Sequence, residues 1–455
     1  MTSRTISKQL REDPRLGKMK QELISLVEEY QEKITGIRPP KDNLQIEYDQ
    51  VIEEFTQVRG GKLFYPYLGS GFGKGPLVEL MDGSVKYDFI IGIGAHFFGH
   101  NHPEIMGAGI DAALSDTVMQ GHLQQNRDAV SLSHLLVDAS GLDHCFISST
   151  GVMANENGLK IIFQKNYPRN RILAFEGCFM GRTLALSQVT DKPVFREGLP
   201  LNVDVDYIPF YDDQDPEGST ERAVNALRKH LARYPGKHAV MCFELVQGEA
   251  GFRPGTTRFF SALMEILKEE GIAVLVDEVQ TFGRTPELFA FHHFQLQKYV
   301  DVVTIGKLSQ ICATLYRSEF VPRPGLLSQT FTASTSAIRA ATVLIQKLID
   351  EGYYGHEGKI VKLHHHFAEG LKNLETAYPD KISGPFGIGA MIAFTPYGGE
   401  REKVLLFVRK LFDKGVISFI AGSKLTRCRF LVPAVTLTEK DIDEVLSIIE
   451  GIVKI

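Results

Sequence analysis

The chain contains no apolar run approaching the roughly 18 residues that a membrane-spanning helix needs. It also lacks a basic block. Lys18 and Lys20 stand close together but acids follow at once, and the net charge is -5 with a pI near 6.3. A nucleic-acid groove or a patch for anionic membranes is therefore not expected. The opening MTSRTISKQLREDPRLGK has no apolar centre like that of a secretory signal, and its acids and proline do not suit an organellar transit peptide. The expected compartment is the cytoplasm. Cysteine is sparse: Cys145, Cys178, Cys242, Cys312 and Cys428 are odd in number, far apart and without a CxxC pair, as free thiols in a reducing compartment would be. The histidines at 364–366 adjoin Leu363 and Phe367 in a helical pattern. Adjacent side chains fan around a helix, so no metal site is expected there. Internal repeats and low-complexity tracts are absent too.

What remains is an ordinary globular composition, 44% hydrophobic and 23% charged, spread over 455 residues. That is too long for one ordinary domain. Leu16, Met19, Leu23, Leu26, Val27 and Tyr30 recur at spacings of three and four, which predicts a helix over 15–33. Residues 43–58 read as irregular or partly helical. The expected divisions are a helical extension over 1–60, a large α/β domain over 61–340 and a small α+β domain over 341–455. LVELMDGSVKYDFI predicts a hairpin turning at Asp82-Gly83, and HPEIMGAGIDAALSD a helix. The short apolar runs HCFISS, RILAFEG, AVMCFEL, AVLVDEV and DVVTIG, joined by longer crossovers, predict buried parallel strands. Polar residues follow these runs, at the carboxyl edge where such sheets bind ligands. A long helix from about Ser334 leads into helix, strand GAMIAFTP, helix REKVLLFVRKLFDKG, strands VISFI and CRFLV, and a last helix. Thr438 and Asp441 are placed to cap that helix.

The sharpest chemistry lies in VLVDEVQTFGR, residues 274–284, and in the next strand, which ends at Lys307. Acids and amines are costly in a core unless paired. Asp277, Glu278 and Gln280 at one strand end and Lys307 at the next can face one pocket. The pattern fits either a functional pair or a structural ion pair at a domain edge.

These residues resemble the class III aminotransferases, pyridoxal 5′-phosphate (PLP) enzymes of fold type I, over roughly residues 61–450. The resemblance implies an α/β fold, with a large mostly parallel sheet domain and a smaller α+β domain. It implies that Asp277 pairs with the pyridine nitrogen, that Gln280 lies near the phenolic oxygen, and that Lys307 condenses with the cofactor aldehyde. Each role suits its residue. A carboxylate keeps the ring protonated and electron-withdrawing, and a desolvated lysine deprotonates easily enough to be a nucleophile and then a base.

Thr150, Gly151 and Val152 in SSTGVMANENGLK stand at a strand-to-helix turn, where amides and the helix dipole favour an anion. A generic turn explains Thr-Gly as well, but the stretch resembles the family's Asn-Ser-Gly-x-Glu-Ala element and implies a phosphate site. Met153 departs from it by replacing the usual glutamate. In GCFMGRT, Phe179 matches the aromatic that covers the PLP ring, with Met180 where histidine or tryptophan is usual. FELVQGEAG resembles Glu-Pro-x-Gln-Gly-Glu-x-Gly through Glu244 and Glu249. The second acid, by resemblance, pairs with Arg429, whose guanidinium can otherwise grip a substrate carboxylate; Arg427 competes for that assignment. Thr330 matches the threonine that reaches the phosphate of the other subunit's cofactor, so a homodimer is implied. Phe331-Thr332-Ala333-Ser334 follows where glycines are usual. Gln310-Ile311-Cys312 resembles lysine 6-aminotransferases, and Ile93, in the glycine-rich loop 92–96, stands where ornithine-type relatives use tyrosine.

The expected activity is transfer of an amino group from a small amine or amino acid with a terminal amine, such as lysine, ornithine or 4-aminobutyrate. The expected acceptor is an oxo acid, 2-oxoglutarate by resemblance. Two alternatives stand beside it: a racemase or epimerase, decarboxylase or lyase using the same cofactor, and a non-catalytic binding protein on the same fold.

Overall fold

The computed structural model describes residues 5–115, 121, 123–422 and 424–454. Residues 1–4 and Asp116, the last of the helix expected at 102–116, lie outside the described residues. No described helix is long and apolar enough to cross a membrane.

A seven-stranded sheet forms the centre. Its order is His144–Ser148, Cys312–Tyr316, Val302–Ile305, Ala273–Glu278, His238–Phe243, Arg171–Phe175, Asp204–Ile208. Cys312–Tyr316 runs antiparallel to both neighbours, and the pairings from Val302–Ile305 to Asp204–Ile208 are all parallel. The central strands read as unbroken apolar runs because both faces are covered: every residue of His238–Phe243 and Ala273–Glu278 is buried. Asp204–Ile208 and Cys312–Tyr316 were not foreseen. The first alternates acids with apolar residues at an exposed sheet edge. The second follows the lysine turn after only Gln310 and Ile311.

Helix packing follows the apolar periodicity. In Thr257–Glu269, Phe259, Phe260, Leu263, Met264 and Leu267 are buried on one stripe, and Thr256 caps the start by accepting from the Phe259 amide at 3.2 Å. The Phe260 ring stacks on Phe243 at 5.6 Å and meets Phe294 edge-on at 5.5 Å. Phe260→Ala is expected to cost about 3–5 kcal/mol through lost burial and an unfilled cavity, read as a lower urea midpoint with an unchanged slope.

Residues 43–58, expected to be irregular or partly helical, lie within one continuous helix, Asp42–Arg59, closed by left-handed Gly60. Its stripe is weak because Tyr48 alone is fully buried. The predicted hairpin forms, with Leu77–Leu80 paired to Val85–Asp88. It joins Val416–Ile417 in parallel, so this early segment is hydrogen-bonded to the C-terminal part. VISFI is not one strand. Val416–Ile417 belongs to that sheet, whereas Phe419–Ala421 pairs with Arg427–Leu431 in another. Ile382–Ile388, hidden by its Gly-Pro content, is an edge strand of the second sheet with an irregular register. At the last helix Asp441 Oδ2 accepts from the Thr438 amide at 2.9 Å while Thr438 Oγ1 accepts from the Asp441 amide at 3.3 Å, a reciprocal cap. His364 bonds the Gly389 carbonyl and His366 bonds Asp443.

Candidate active site

Parallel strands deliver their following residues to one edge of the sheet, and the site is built there. Asp277 pairs in register with Thr304 of the neighbouring strand, which ends two residues before Lys307. Gly151 begins the helix after His144–Ser148, Phe179 follows Arg171–Phe175, and Glu244 follows His238–Phe243. These residues line one cavity of about 250 Å³ with Val152, Gln280 and Glu249. A groove of about 630 Å³ beside His144 and Thr332 shares none of its lining.

Lys307 has φ 54°, left-handed backbone rare outside glycine. Gly306 precedes it where a Cβ would meet Cys312 Sγ at 2.9 Å and Val279 at 3.0 Å, so the chain passes through a slot only glycine fits. Burial first, then the nearby Arg429 and Arg284, lower the Lys307 ammonium to about 8. Capture of PLP by the cofactor-free protein is therefore expected to rise with pH and level off above about pH 8. A surface lysine would still be gaining above pH 10. Stopped-flow absorbance at a series of pH values measures this.

Asp277 and its neighbour Glu278 face opposite sides of their strand. Glu278 turns away and accepts the Ala290 and Phe291 amides at 2.7 and 2.8 Å. Asp277 faces the cavity. Its Oδ2 accepts from Asn155 Nδ2 at 2.7 Å and its Oδ1 from the Val279 amide at 2.8 Å. Asn155 is itself held by Thr304, whose hydroxyl donates to its Oδ1 at 2.6 Å. Burial raises Asp277 to about 6 against these bonds, which leaves it mostly ionised at neutral pH. Burial and then Asp277 push Glu244 up to about 8, so it is mostly neutral there. It accepts the Phe179 and Gly248 amides at 2.8 and 2.9 Å and fixes two walls of the cavity.

Glu249 Oε1 accepts from Arg429 Nη2 at 2.6 Å, and its Oε2 lies 3.5 Å from Lys192 Nζ. Burial alone would raise Glu249. Arg429 and Lys192 outweigh it and hold the carboxyl below its usual range. Arg429 is fully buried, and its Nε has no hydrogen-bond partner among the described residues. Arg427 reaches a different part of the same loop, bonded to the Gly251 carbonyl at 2.6 Å and stacked on Phe386 at 3.4 Å. The geometry selects Arg429.

The sequence profile described as Aminotransferase class-III matches residues 71–453. The chain belongs to the class III aminotransferases. Similar curated proteins are acetylornithine aminotransferases of Methanocaldococcus jannaschii (29% identity, covering 84% of this chain and 92% of that one) and Bradyrhizobium diazoefficiens (29%, 84% and 91%). The fold resembles solved structures of a lysine aminotransferase from M. tuberculosis (TM-score 0.78, 21% identity, covering 88% and 98%) and an ornithine aminotransferase from Toxoplasma gondii ME49 (0.78, 22%, 91% and 98%).

As a class III aminotransferase the chain is a PLP enzyme, and its residues fit that group. Gln280 Oε1 is buried with no hydrogen-bond partner among the described residues, a polar atom awaiting a ligand. The helix Gly151–Asn166 opens onto the cavity, and first-turn amides have no partner inside a helix. Thr150 caps that helix by accepting from the Met153 amide at 3.3 Å. Phe179 and Val279 supply apolar surface for a flat ring.

Thr330 does not meet these residues. It is exposed and lies outside the Lys307 cavity of its own chain. The 92–96 loop lines no wall of that cavity, but it is tied to the site. The Gly94 carbonyl accepts from Arg284 and the Ala95 carbonyl from Gln310 Nε2 at 2.7 Å. Ile91, Gly92, Ile93 and Gly94 all have positive φ, a strained path that these bonds hold. Met180 is buried, and the glutamate missing at Met153 has a polar neighbour in Glu156, which accepts from the Thr183 hydroxyl. Reading the sequence did not single out Asn155 as the Asp277 partner, nor Lys192 or Arg284. Asn155 was within reach, one helical turn after Gly151, where the helix begins. Lys192 carried no motif.

Proposed function

We propose that this aminotransferase takes the terminal amino group of a small amino acid and passes it to an oxo acid, with 2-oxoglutarate as acceptor. The observation that carries this reading is the Glu249–Arg429 pair at the Lys307 cavity. A free buried arginine beside the reacting lysine would draw every α-carboxylate onto itself. With Glu249 on it, the cation is masked, and a donor enters with its distal amine leading. When an oxo acid enters, its carboxylate takes Glu249's place. One cavity then serves two substrates of different shape. The curated relatives named above act on acetylornithine by name, and the solved neighbours on lysine and ornithine, all terminal amines.

When bound, the cofactor supplies an aldehyde for amines and an electron-withdrawing ring. Lys307 would be the amine that holds the group, and its Nζ, once free, would be placed to move a proton at the carbon bearing the transferred nitrogen. Asp277, kept in place by Asn155 and the Val279 amide, holds the proton on the ring nitrogen. Gln280 would donate from its side-chain amide to the phenolic oxygen, Phe179 would cover the ring, and Thr150, Gly151 and Val152 would hold the phosphate. A second copy of the chain completes the site by bringing its Thr330 to that phosphate, which fits the exposed position of Thr330 on the single chain.

The test mixes holoenzyme with lysine, ornithine or 4-aminobutyrate and follows the cofactor absorbance. The expected result is a shift on adding the donor and its reversal on adding 2-oxoglutarate. Inversion of donor configuration without net conversion, or no shift with any terminal amine, would overturn the reading.

A further inference from the structure

Glu249 has a second cation within reach. Its Oε1 is held by Arg429 at 2.6 Å, while its Oε2 faces Lys192 Nζ at 3.5 Å, beyond a normal N–H···O bond. Lys192 thus attracts Glu249 without a close hydrogen bond to it in the present arrangement. Glu249 and Lys192 are largely buried, with side-chain exposures of 22% and 18%, and Arg429 has none. The lysine is fixed from its backbone. Its amide donates to the Thr190 carbonyl at 2.9 Å, and the Asp191 amide donates to the Cys178 carbonyl at 3.0 Å. Thr190 Oγ1 in turn accepts from the Met180 amide at 2.9 Å. The segment carrying Lys192 is therefore stitched to the segment carrying Phe179, a wall of the reaction cavity. Its ammonium lies 5.5 Å from the Phe195 ring centre, and the neighbouring Asp191 faces Arg196.

We propose that Lys192 is the second seat of Glu249: it receives the carboxylate when a substrate carboxylate takes Arg429. This rests on the exchange at Arg429 described under the proposed function. A half-buried carboxylate stripped of its cation is costly, so the exchange needs a waiting partner, and Lys192 is the cation whose geometry supplies it. Lys192 is a positioning residue. It acts through Glu249 and sets how readily an α-carboxylate substrate enters, because the cost of the displaced state adds to the apparent dissociation constant. A donor that leaves Glu249 on Arg429 does not need it.

Single-turnover absorbance of the holoenzyme with L-glutamate and, separately, L-ornithine tests this. Lys192→Met is expected to weaken the apparent affinity for L-glutamate about tenfold, with L-ornithine changed by less than about twofold, and Lys192→Arg to restore it. In a Glu249→Ala background, Lys192→Met should change nothing, because the group it receives is gone. Equal losses with both probes, no loss with either, or a tenfold loss with L-glutamate that persists without Glu249 would overturn the proposal. The last outcome would make Lys192 a direct substrate contact. Glu249→Ala alone tests the underlying exchange: it should impair L-ornithine far more than L-glutamate. If it does not, the exchange itself falls. If it does and Lys192→Met still behaves in one of the contrary ways, only the role of Lys192 falls.

Discussion

Lys307→Ala is expected to lower kcat by about 10,000-fold, the upper end of what one acid–base residue contributes. Two functions disappear together. On the proposed assignment, the chain loses both the amine that would hold the cofactor aldehyde and the base that would move the proton. The fold should tolerate the change. A buried ammonium is a burden on the core, as its depressed titration to about 8 indicates. The cofactor-free variant should therefore melt no lower than cofactor-free wild type. Steady-state rates together with circular-dichroism melts separate the two effects. Borohydride reduction of PLP-loaded protein should label Lys307 in the wild type and nothing in the variant. A label on another lysine would remove the basis for every assignment made around this one.

Asp277→Asn should cost about 100- to 1,000-fold in kcat, the range for losing one preorganised electrostatic group. The substitution keeps the shape and removes the charge. It also disturbs the local bonding, because Asn155 presents an N–H to Oδ2 at 2.7 Å and the Val279 amide presents another to Oδ1 at 2.8 Å. An asparagine can accept only one of these with its oxygen and must oppose the other with its own NH2. Without the carboxylate, the ring nitrogen of the cofactor loses its proton more readily and withdraws electrons less well. The signature is a fall in kcat with a smaller change in donor KM. Equal activity of variant and wild type would place the ring's proton under some other group's control.

Much of the site could be read from the chain because the chemistry sits on strand ends. Asp277 and Lys307 close two consecutive apolar runs, and parallel pairing in register places such ends side by side. The capped helix start beside the cavity was readable from a hydroxyl and a glycine opening a helix. The choice of Arg429 over Arg427 came from resemblance and not from strand pattern. Two arginines two residues apart share a face of a strand, and both reach the 248–251 loop, Arg429 at Glu249 and Arg427 at the Gly251 carbonyl. Which partner each finds depends on loops from distant parts of the chain. Lys192 was missed for the same reason, since its meaning comes from Glu249, 57 residues later. Among the strands, Asp204–Ile208 and Ile382–Ile388 were obscured by edge chemistry: half-exposed strands carry acids, glycine and proline that a buried strand could not.

The strand Cys312–Tyr316 turns back alongside Val302–Ile305 directly after the lysine. Lys307 is thus in the connection of a β-hairpin whose two strands are both interior members of the seven-stranded sheet. Backbone motion at the reacting residue is coupled to rupture of the sheet itself, unlike that of a catalytic group on a free loop. Amide hydrogens along both strands of the hairpin should consequently exchange with deuterium only at the pace of global opening. The nucleophile's anchorage would then be among the last parts of the molecule to loosen on heating.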